Sequence, residues 1–285
     1  MAKDTFFSKT KSLNCNGRLV FLEHPIIMGI LNLTPDSFYD GGKLSGEKLI
    51  LQKAEQFLKE GATILDIGGY SSRPGADNIS EKEELKRILP AIKSISKYFP
   101  EAIISIDTFR SEIAKEAIST GASIINDISA GNIDNKMHDV VSELQVPYIV
   151  MHMQGTPSTM QKNPSYNNVL AEVSHYFSKK INRLTLLGVN DIILDPGFGF
   201  GKTIEHNYNL LNNLNQLKVF NKPLLVGISR KSMIYKVLQT SPEEALNSTS
   251  ALHAIALLKG ANILRVHDVK EAAEVVKIVT QLKIS

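Results

Sequence analysis

After an opening segment, short apolar runs alternate along the chain with longer stretches whose apolar positions recur every three or four residues. The runs are Ile26–Leu31, Thr63–Ile67, Ile103–Ile106, Ser123–Asn126, Tyr148–Met151, Asp191–Leu194, Leu224–Gly227 and Ile263–Val266. They are short and mostly apolar, as expected of strands buried on both faces of a parallel sheet. The longer stretches, near 46–59, 80–98, 110–119, 134–144, 167–187, 203–217, 242–259 and 268–282, carry the helical period, and Gly61, Gly121, Gly188 and Gly260 end several of them. Before the first run, Asn16-Gly17 stands between two β-prone segments, the pattern of a two-residue hairpin turn.

Eight strands, each followed by a helix, predict a (β/α)₈ TIM barrel with an N-terminal β-hairpin. A doubly wound open sheet shares the alternation, but there the count of eight would be a coincidence. A length of 285 residues suits one such barrel, and no linker or low-complexity tract interrupts it, so residues 1–285 read as a single domain. The 32 basic and 29 acidic side chains are spread along the chain, which predicts no nucleic-acid partner. The single cysteine, Cys15, excludes an internal disulfide and a cysteine-based zinc site. The start lacks the apolar core of a signal peptide and no segment is apolar enough for a membrane span, so a cytoplasmic protein without membrane contact is expected.

In a barrel of this kind the active site forms where the strands end, so polar residues just past each run are candidates by position. The runs lead into Asn32, Asp66, Asp107, Asn126-Asp127, Met151-His152, Asp195, Ser229-Arg230-Lys231-Ser232, and Arg265 with His267-Asp268. Carboxylates buried in a barrel mouth are costly unless paired, so Asp107, Asn126 and Asp195 together call for a ligand rich in hydrogen-bond donors, such as the guanidine-like edge of a heterocycle. Taken singly, each could merely cap a helix or brace a loop. Lys231, Arg230, Arg265 and His267 gather on the last two strands, the quarter of a barrel that often takes phosphate, and predict an anionic group. Arg265 and His267 are two apart and leave their strand end on the same side. Gly197–Lys202 (GFGFGK) hints only weakly at a nucleotide loop and reads better as a loop carrying Phe198 and Phe200 beside the site. MHMQGTPSTM, from Met151, offers soft apolar surface for a flat ligand. The loops 32–45 and 68–79 are long and polar, as lids over a barrel mouth are.

These segments carry a resemblance. MGILNLTPDSFYDGG, DIGGYSSRPGA, SIDTFR, INDISAG, DPGFGFGK with GISRKS, and RVHDV stand in the order in which dihydropteroate synthases carry them, and the likeness runs over nearly the whole chain. It implies an enzyme that condenses 6-hydroxymethyl-7,8-dihydropterin diphosphate with p-aminobenzoate, a sulfonamide target and a homodimer built on the last barrel helices. It implies that Asp107, Asn126, Asp195 and Lys231 bind the pterin, with Met151 and Gly227 lining its slot. Asn32 would ligate Mg²⁺, and Arg265 and His267 would hold the diphosphate. The first two strand loops would bring Asp36, Ser72, Arg73 and Pro74 to the second substrate, flanked by Phe200 and Lys231, with Ser232 and the helix N-terminus behind it receiving the carboxylate. Asp107, Asp195, Lys231 and Asn32 would be the catalytic set. The chain departs from the family's common Glu-Ser-Thr-Arg-Pro-Gly in having Tyr70-Ser71-Ser72-Arg73-Pro74-Gly75; Ser72 keeps the hydroxyl, while Tyr70 removes a carboxylate. The rival readings are a methyltetrahydrofolate-dependent methyltransferase and a non-catalytic pterin-binding barrel. The first leaves the anion-binding strand ends without a purpose, and the second predicts lost site residues.

Overall fold

The computed structural model describes residues 11–33, 43–70 and 79–282. The hairpin forms as expected: β1 (Ser12–Cys15) and β2 (Arg18–Phe21) pair antiparallel, and Asn16 and Gly17 turn between them at φ of 55° and 86°, both left-handed as a two-residue turn of this type requires. Next come β3 (Ile26–Asn32), α1 (Lys43–Glu60), β4 (Ile64–Gly68), α2 (Glu81–Tyr98), β5 (Ile103–Asp107), α3 (Ser111–Thr120), β6 (Ile124–Asp127), α4 (Met137–Leu144), β7 (Tyr148–Met151) and α5 (Val169–Leu186). The order closes with β8 (Ile192–Asp195), α6 (Ile204–Asn212), β9 (Leu225–Val226), α7 (Ser232–Tyr235), α8 (Leu246–Leu258), β10 (Ile263–Val266) and α9 (Val269–Leu282). Eight strands from β3 onward form one parallel sheet in the order β8-β7-β6-β5-β4-β3-β10-β9. A single parallel bridge, Leu194 to Leu224, joins its two ends, so the sheet curls into a nearly closed barrel with the helices between strands.

Side chains alternate across each strand, and that alternation sorts the core into two. Ile27, Leu65, Ile67, Ile104, Ile106, Ile125, Val150, Leu194 and Leu264 point outward and pack under the helices. Met28, Ile64, Ile103, Ile124, Ile149, Ile193, Leu225 and Ile263 point inward and meet as one apolar layer near the start of the strands. Leu13, Cys15 and Leu22 of the hairpin join that layer and plug the lower end. Asn14 N–H donates to Asp191 at 2.8 Å and ties the plug to the entry of β8. Cys15 is buried there, and burial, with Asp191 nearby, pushes its thiol up to about 12.

The helices start where capping side chains appear: Ser80 accepts from Glu83 N–H, Asn168 from Ala171 N–H, and Thr203 forms a reciprocal capping box with His206. Three expected helices differ. The segment near 203–217 is α6 followed by a separate 3-10 stretch, Leu214–Phe220. Asparagines crowd this break, and Asn213 Nδ2 donates to the Asn209 carbonyl at 2.9 Å, a local bond that competes with helix continuation. The segment near 134–144 begins only at Met137, because Asp134 turns its carboxylate to Ser111 N–H (2.7 Å), at the start of α3, and to Lys136 N–H (3.0 Å). The segment near 242–259 opens with a 3-10 turn, Glu243–Ala245, and the one-turn helix α7 precedes it.

Candidate active site

Two residues above the apolar layer, the same inward alternation brings up Asp66, Ser105, Asn126, Met151, Asp195, Gly227 and Arg265. Two further along stand Asn32, Gly68, Asp107 and His267. The barrel interior therefore changes from hydrocarbon to hydrogen-bonding groups within one step of the pleat.

Arg265 is the centre of this layer. Its Nε donates to Asp66 Oδ2 at 2.6 Å and its Nη2 to Asp107 Oδ2 at 2.7 Å, while Asn126 Nδ2 donates to Asp66 Oδ2 at 3.1 Å. Burial works against the Arg265 charge, but Asp66 and Asp107 more than offset it and hold the guanidinium protonated. Burial likewise pushes Asp107 well above the usual carboxylate range even with Arg265 beside it, and the Asp66 charge adds to the rise. The second Asp66 oxygen, Oδ1, is buried without a hydrogen-bond partner. Gly68 separates Asn32 from Asp107 across the sheet, and because it has no side chain the Asn32 amide oxygen and the Asp107 carboxylate share the space above it.

Across the mouth, Asp195 accepts from Gly197 N–H at 2.8 Å; burial raises its carboxyl, opposed by Lys231. Lys231 Nζ donates to the Phe198 carbonyl and lies 4.6 Å from the centre of the Phe200 ring. Burial pulls its ammonium down to about 8, with Asp195 resisting. Gly227 leaves open the space between the Arg265 and Lys231 side chains. Met151 packs with Ile128, Met153 and Met160, and half-buried Phe109 and Phe200 lean on them, so one wall is soft and apolar. His267 meets the Ser229 hydroxyl through both its backbone N–H (3.2 Å) and Nδ1 (3.1 Å).

The structure thus brings Asn32, Asp107, Asn126, Met151, Asp195, Phe200, Gly227, Lys231, Arg265 and His267 to one mouth. Ser232 follows Lys231 as the first residue of α7, a single-turn helix. Arg230 does not join the cations: at φ 53° its side chain turns away to clasp Asp268 at 2.8 Å and the carbonyls of Pro242 and Glu243. Phe198 is fully buried core rather than a loop aromatic. Asp127 accepts from Ser129, Gly131 and Tyr148 and braces its own loop. Asp36, Ser72, Arg73 and Pro74 lie outside the described residues. Tyr70, where the family commonly has glutamate, meets the edge of Phe109 at 5.2 Å under the Arg110 guanidinium, and Arg110 itself pairs with buried Glu84 at 2.6 Å.

Asp66, His152 and Ser229 are legible in the sequence as strand ends and Lys202 as the close of GFGFGK, but the sequence assigns none of them a role. For Asp66 the signal was its parity with Ile64, which aims it into the barrel. Lys202 and His152 meet across fifty positions of chain, which no local pattern announces.

Among the described residues no group of three or more His, Cys, Asp or Glu could hold a metal ion. The amide oxygen of Asn32 is a hard donor, and a single such ligand fits an ion held chiefly by a substrate's phosphate oxygens, as Mg²⁺ commonly is. Buried acceptors interleaved with Arg265 and Lys231 can bind a flat, donor-rich heterocycle bearing an anionic substituent.

Comparison with known proteins agrees. The family pattern described as "Pterin binding enzyme" matches residues 28–267. The dihydropteroate synthase of Escherichia coli (strain K12) is 45% identical over 269 residues, 94% of this chain and 95% of that protein. The Yersinia pestis dihydropteroate synthase, solved with a sulfonamide drug complex, superposes with a TM-score of 0.90 at 40% identity, covering 96% of this chain and 100% of the other. The Xanthomonas albilineans dihydropteroate synthase with 4-aminobenzoic acid gives a TM-score of 0.90 at 35% identity, covering 97% and 99%. The chain belongs to the dihydropteroate synthase family of pterin-binding enzymes, transferases of a pterinylmethyl group in folate biosynthesis.

Proposed function

We propose that the barrel mouth condenses 6-hydroxymethyl-7,8-dihydropterin diphosphate with p-aminobenzoate, giving 7,8-dihydropteroate and pyrophosphate by dissociative substitution. The observation that carries this reading is the gathering, in one mouth, of the acceptors Asp107, Asn126 and Asp195 with the basic side chains Arg265, Lys231 and His267, Arg265 bonded to Asp107 and Lys231 set beside Asp195. Asp107, Asn126 and Asp195 take the N–H edge of the pterin, Met151 and the bare Gly227 shape its slot, and Lys231 completes the contact. Arg265 and His267 face the diphosphate. A Mg²⁺ at the Asn32 oxygen would help neutralise the diphosphate as it leaves. Arg265 stabilises the charge that develops on the leaving group, already oriented by Asp66 and so without reorganisation. As the C–O bond to the diphosphate breaks, the pterin methylene becomes a delocalised cation beside the Asp107 and Asp195 carboxylates. The aryl amine of p-aminobenzoate then attacks that carbon and loses a proton; its low basicity removes the need for a strong general base. Phe200 and Lys231 flank the ring, and Ser232 receives the carboxylate. Sulfonamides, which resemble p-aminobenzoate, bind the same pocket.

The protein acts as a cytoplasmic homodimer of single-domain barrels in this reading. Exposed Ile255 and Leu258 on α8 and Ile278 and Leu282 on α9 support the pairing face, and no described helix is long and apolar enough to cross a membrane. The test is release of pyrophosphate from the pterin diphosphate with Mg²⁺, with and without p-aminobenzoate, following dihydropteroate by chromatography. Release and product that appear together and require p-aminobenzoate support the reading. Pterin binding without either product overturns it in favour of methyl transfer or silent binding.

A further inference from the structure

Lys202 is almost fully buried, at 3% exposure, and four acceptors surround its Nζ: His152 Nδ1 at 3.0 Å, the His152 carbonyl at 3.3 Å, and the carbonyls of Gly197 at 3.0 Å and Phe200 at 3.1 Å. Two belong to the end of β7 and two to the loop after β8. A lysine nitrogen is a single tetrahedral point that donates whether it carries two hydrogens or three, and it suits acceptors gathered around that point; the flat fork of a guanidinium does not. Burial pulls His152 down to about 3, so its ring is neutral, and the tautomer with its proton on Nε2 presents Nδ1 as an acceptor to Lys202.

The loop is shaped to be held this way. Gly197, Gly199 and Gly201 all take left-handed φ, at 69°, 80° and 61°, and a side chain on Gly197 would overlap the His152 carbonyl, as one on Gly201 would overlap Gln154. Its inner face therefore lies directly on the 152–154 backbone, and Tyr166 OH donates to the Gly201 carbonyl at 2.7 Å from the same side. Its outer face carries the site: Gly197 N–H holds Asp195, the Phe198 carbonyl receives Lys231 Nζ, and the Phe200 ring stands against that ammonium. The loop is clasped between two lysines, one buried and one facing the reaction.

We infer that Lys202 is a positioning residue for the second substrate, fixing the Gly197–Gly201 loop so that Phe200 stands opposite Lys231 at the p-aminobenzoate side. This rests on the assignment of Phe200 proposed above. Lys202 touches neither substrate, so its loss acts through the loop. The test is steady-state kinetics of the full-length Lys202→Met enzyme, which keeps the aliphatic stem but no donor, with each substrate varied in turn against saturating partner, beside Phe200→Ala. Expected are a rise in KM for p-aminobenzoate of about tenfold or more, a rise in KM for the pterin diphosphate at least about threefold smaller, carried by the loop's bonds to Asp195 and Lys231, and no recovery in Lys202→Arg. Should Lys202→Met fail to fold, Lys202→Gln, which retains a shorter donor, is expected to show the same split at smaller amplitude. An unchanged p-aminobenzoate KM in Lys202→Met while Phe200→Ala raises it overturns the role of Lys202 alone. An unchanged KM in Phe200→Ala overturns the placement of the second substrate. Equal rises for both substrates, or recovery in Lys202→Arg, would mark Lys202 as general scaffolding and also overturn the inference.

Discussion

The two ends of the same strands differ in kind. At the lower end, Met28, Ile64, Ile103, Ile149, Ile193 and Ile263 close on the hairpin side chains with no polar atom among them. One pleat higher, Asp66, Asn126, Asp195 and Arg265 bring charged and hydrogen-bonding groups into the barrel beside Met151 and Gly227. The lower layer contributes stability by burial, on the order of 1.5–3 kcal/mol for each large side chain removed from water. The upper layer carries the desolvation cost of its charges and returns it as preorganisation, so stability and chemistry are separated along each strand by two residues.

If that separation holds, the largest effect comes from Lys231→Ala. It should lower kcat by roughly 10²- to 10³-fold with both substrates saturating, the scale of removing one preorganised stabilising group; a normal turnover number places Lys231 at the periphery. Asp195→Asn comes next, and should weaken binding of the pterin diphosphate by about 1.5–3 kcal/mol, the worth of a hydrogen bond to a charged group. Unaltered affinity by calorimetry removes Asp195 from the pterin site.

The charged end should also carry pH dependence that the apolar end lacks. Burial pulls Lys202 from 10.5 down to about 7, so between those values the unfolded chain holds a proton that the folded chain has released. The contribution of Lys202 to stability therefore rises with pH across that window, by at most about 1.4 kcal/mol per unit. Urea midpoints of wild type and Lys202→Met between pH 7 and pH 9 should diverge accordingly; parallel curves refute it. The smallest effect belongs to the lower layer: Ile193→Val should cost about 0.5–1.5 kcal/mol of unfolding free energy and leave kcat per folded molecule unchanged. A fall in kcat there would show that the two layers are mechanically coupled.

Much of this architecture is legible in the amino-acid sequence. The strands announce themselves because parallel strands buried on both faces are mostly apolar, and polar residues at their ends fall at the mouth by the geometry of the barrel. What escaped depended on direction or distance. Arg230 sits beside Lys231 in sequence, but its left-handed backbone sends it to Asp268. Asp66 reads as one more strand end in the sequence, whereas its bonds to Arg265 and Asn126 show it orienting both. The helix expected over 203–217 ignored how strongly closely spaced asparagines compete for backbone groups.

The plug at the foot of the barrel has one more consequence, through Cys15. Nucleophilicity and oxidation both need an accessible thiolate, and this thiol is neither exposed nor ionised at neutral pH. The protein therefore contains a built-in chemical clock. Under native conditions an alkylating reagent can reach the sulfur only while the hairpin is lifted from the strands, so the rate of labelling measures how often the floor of the catalyst opens.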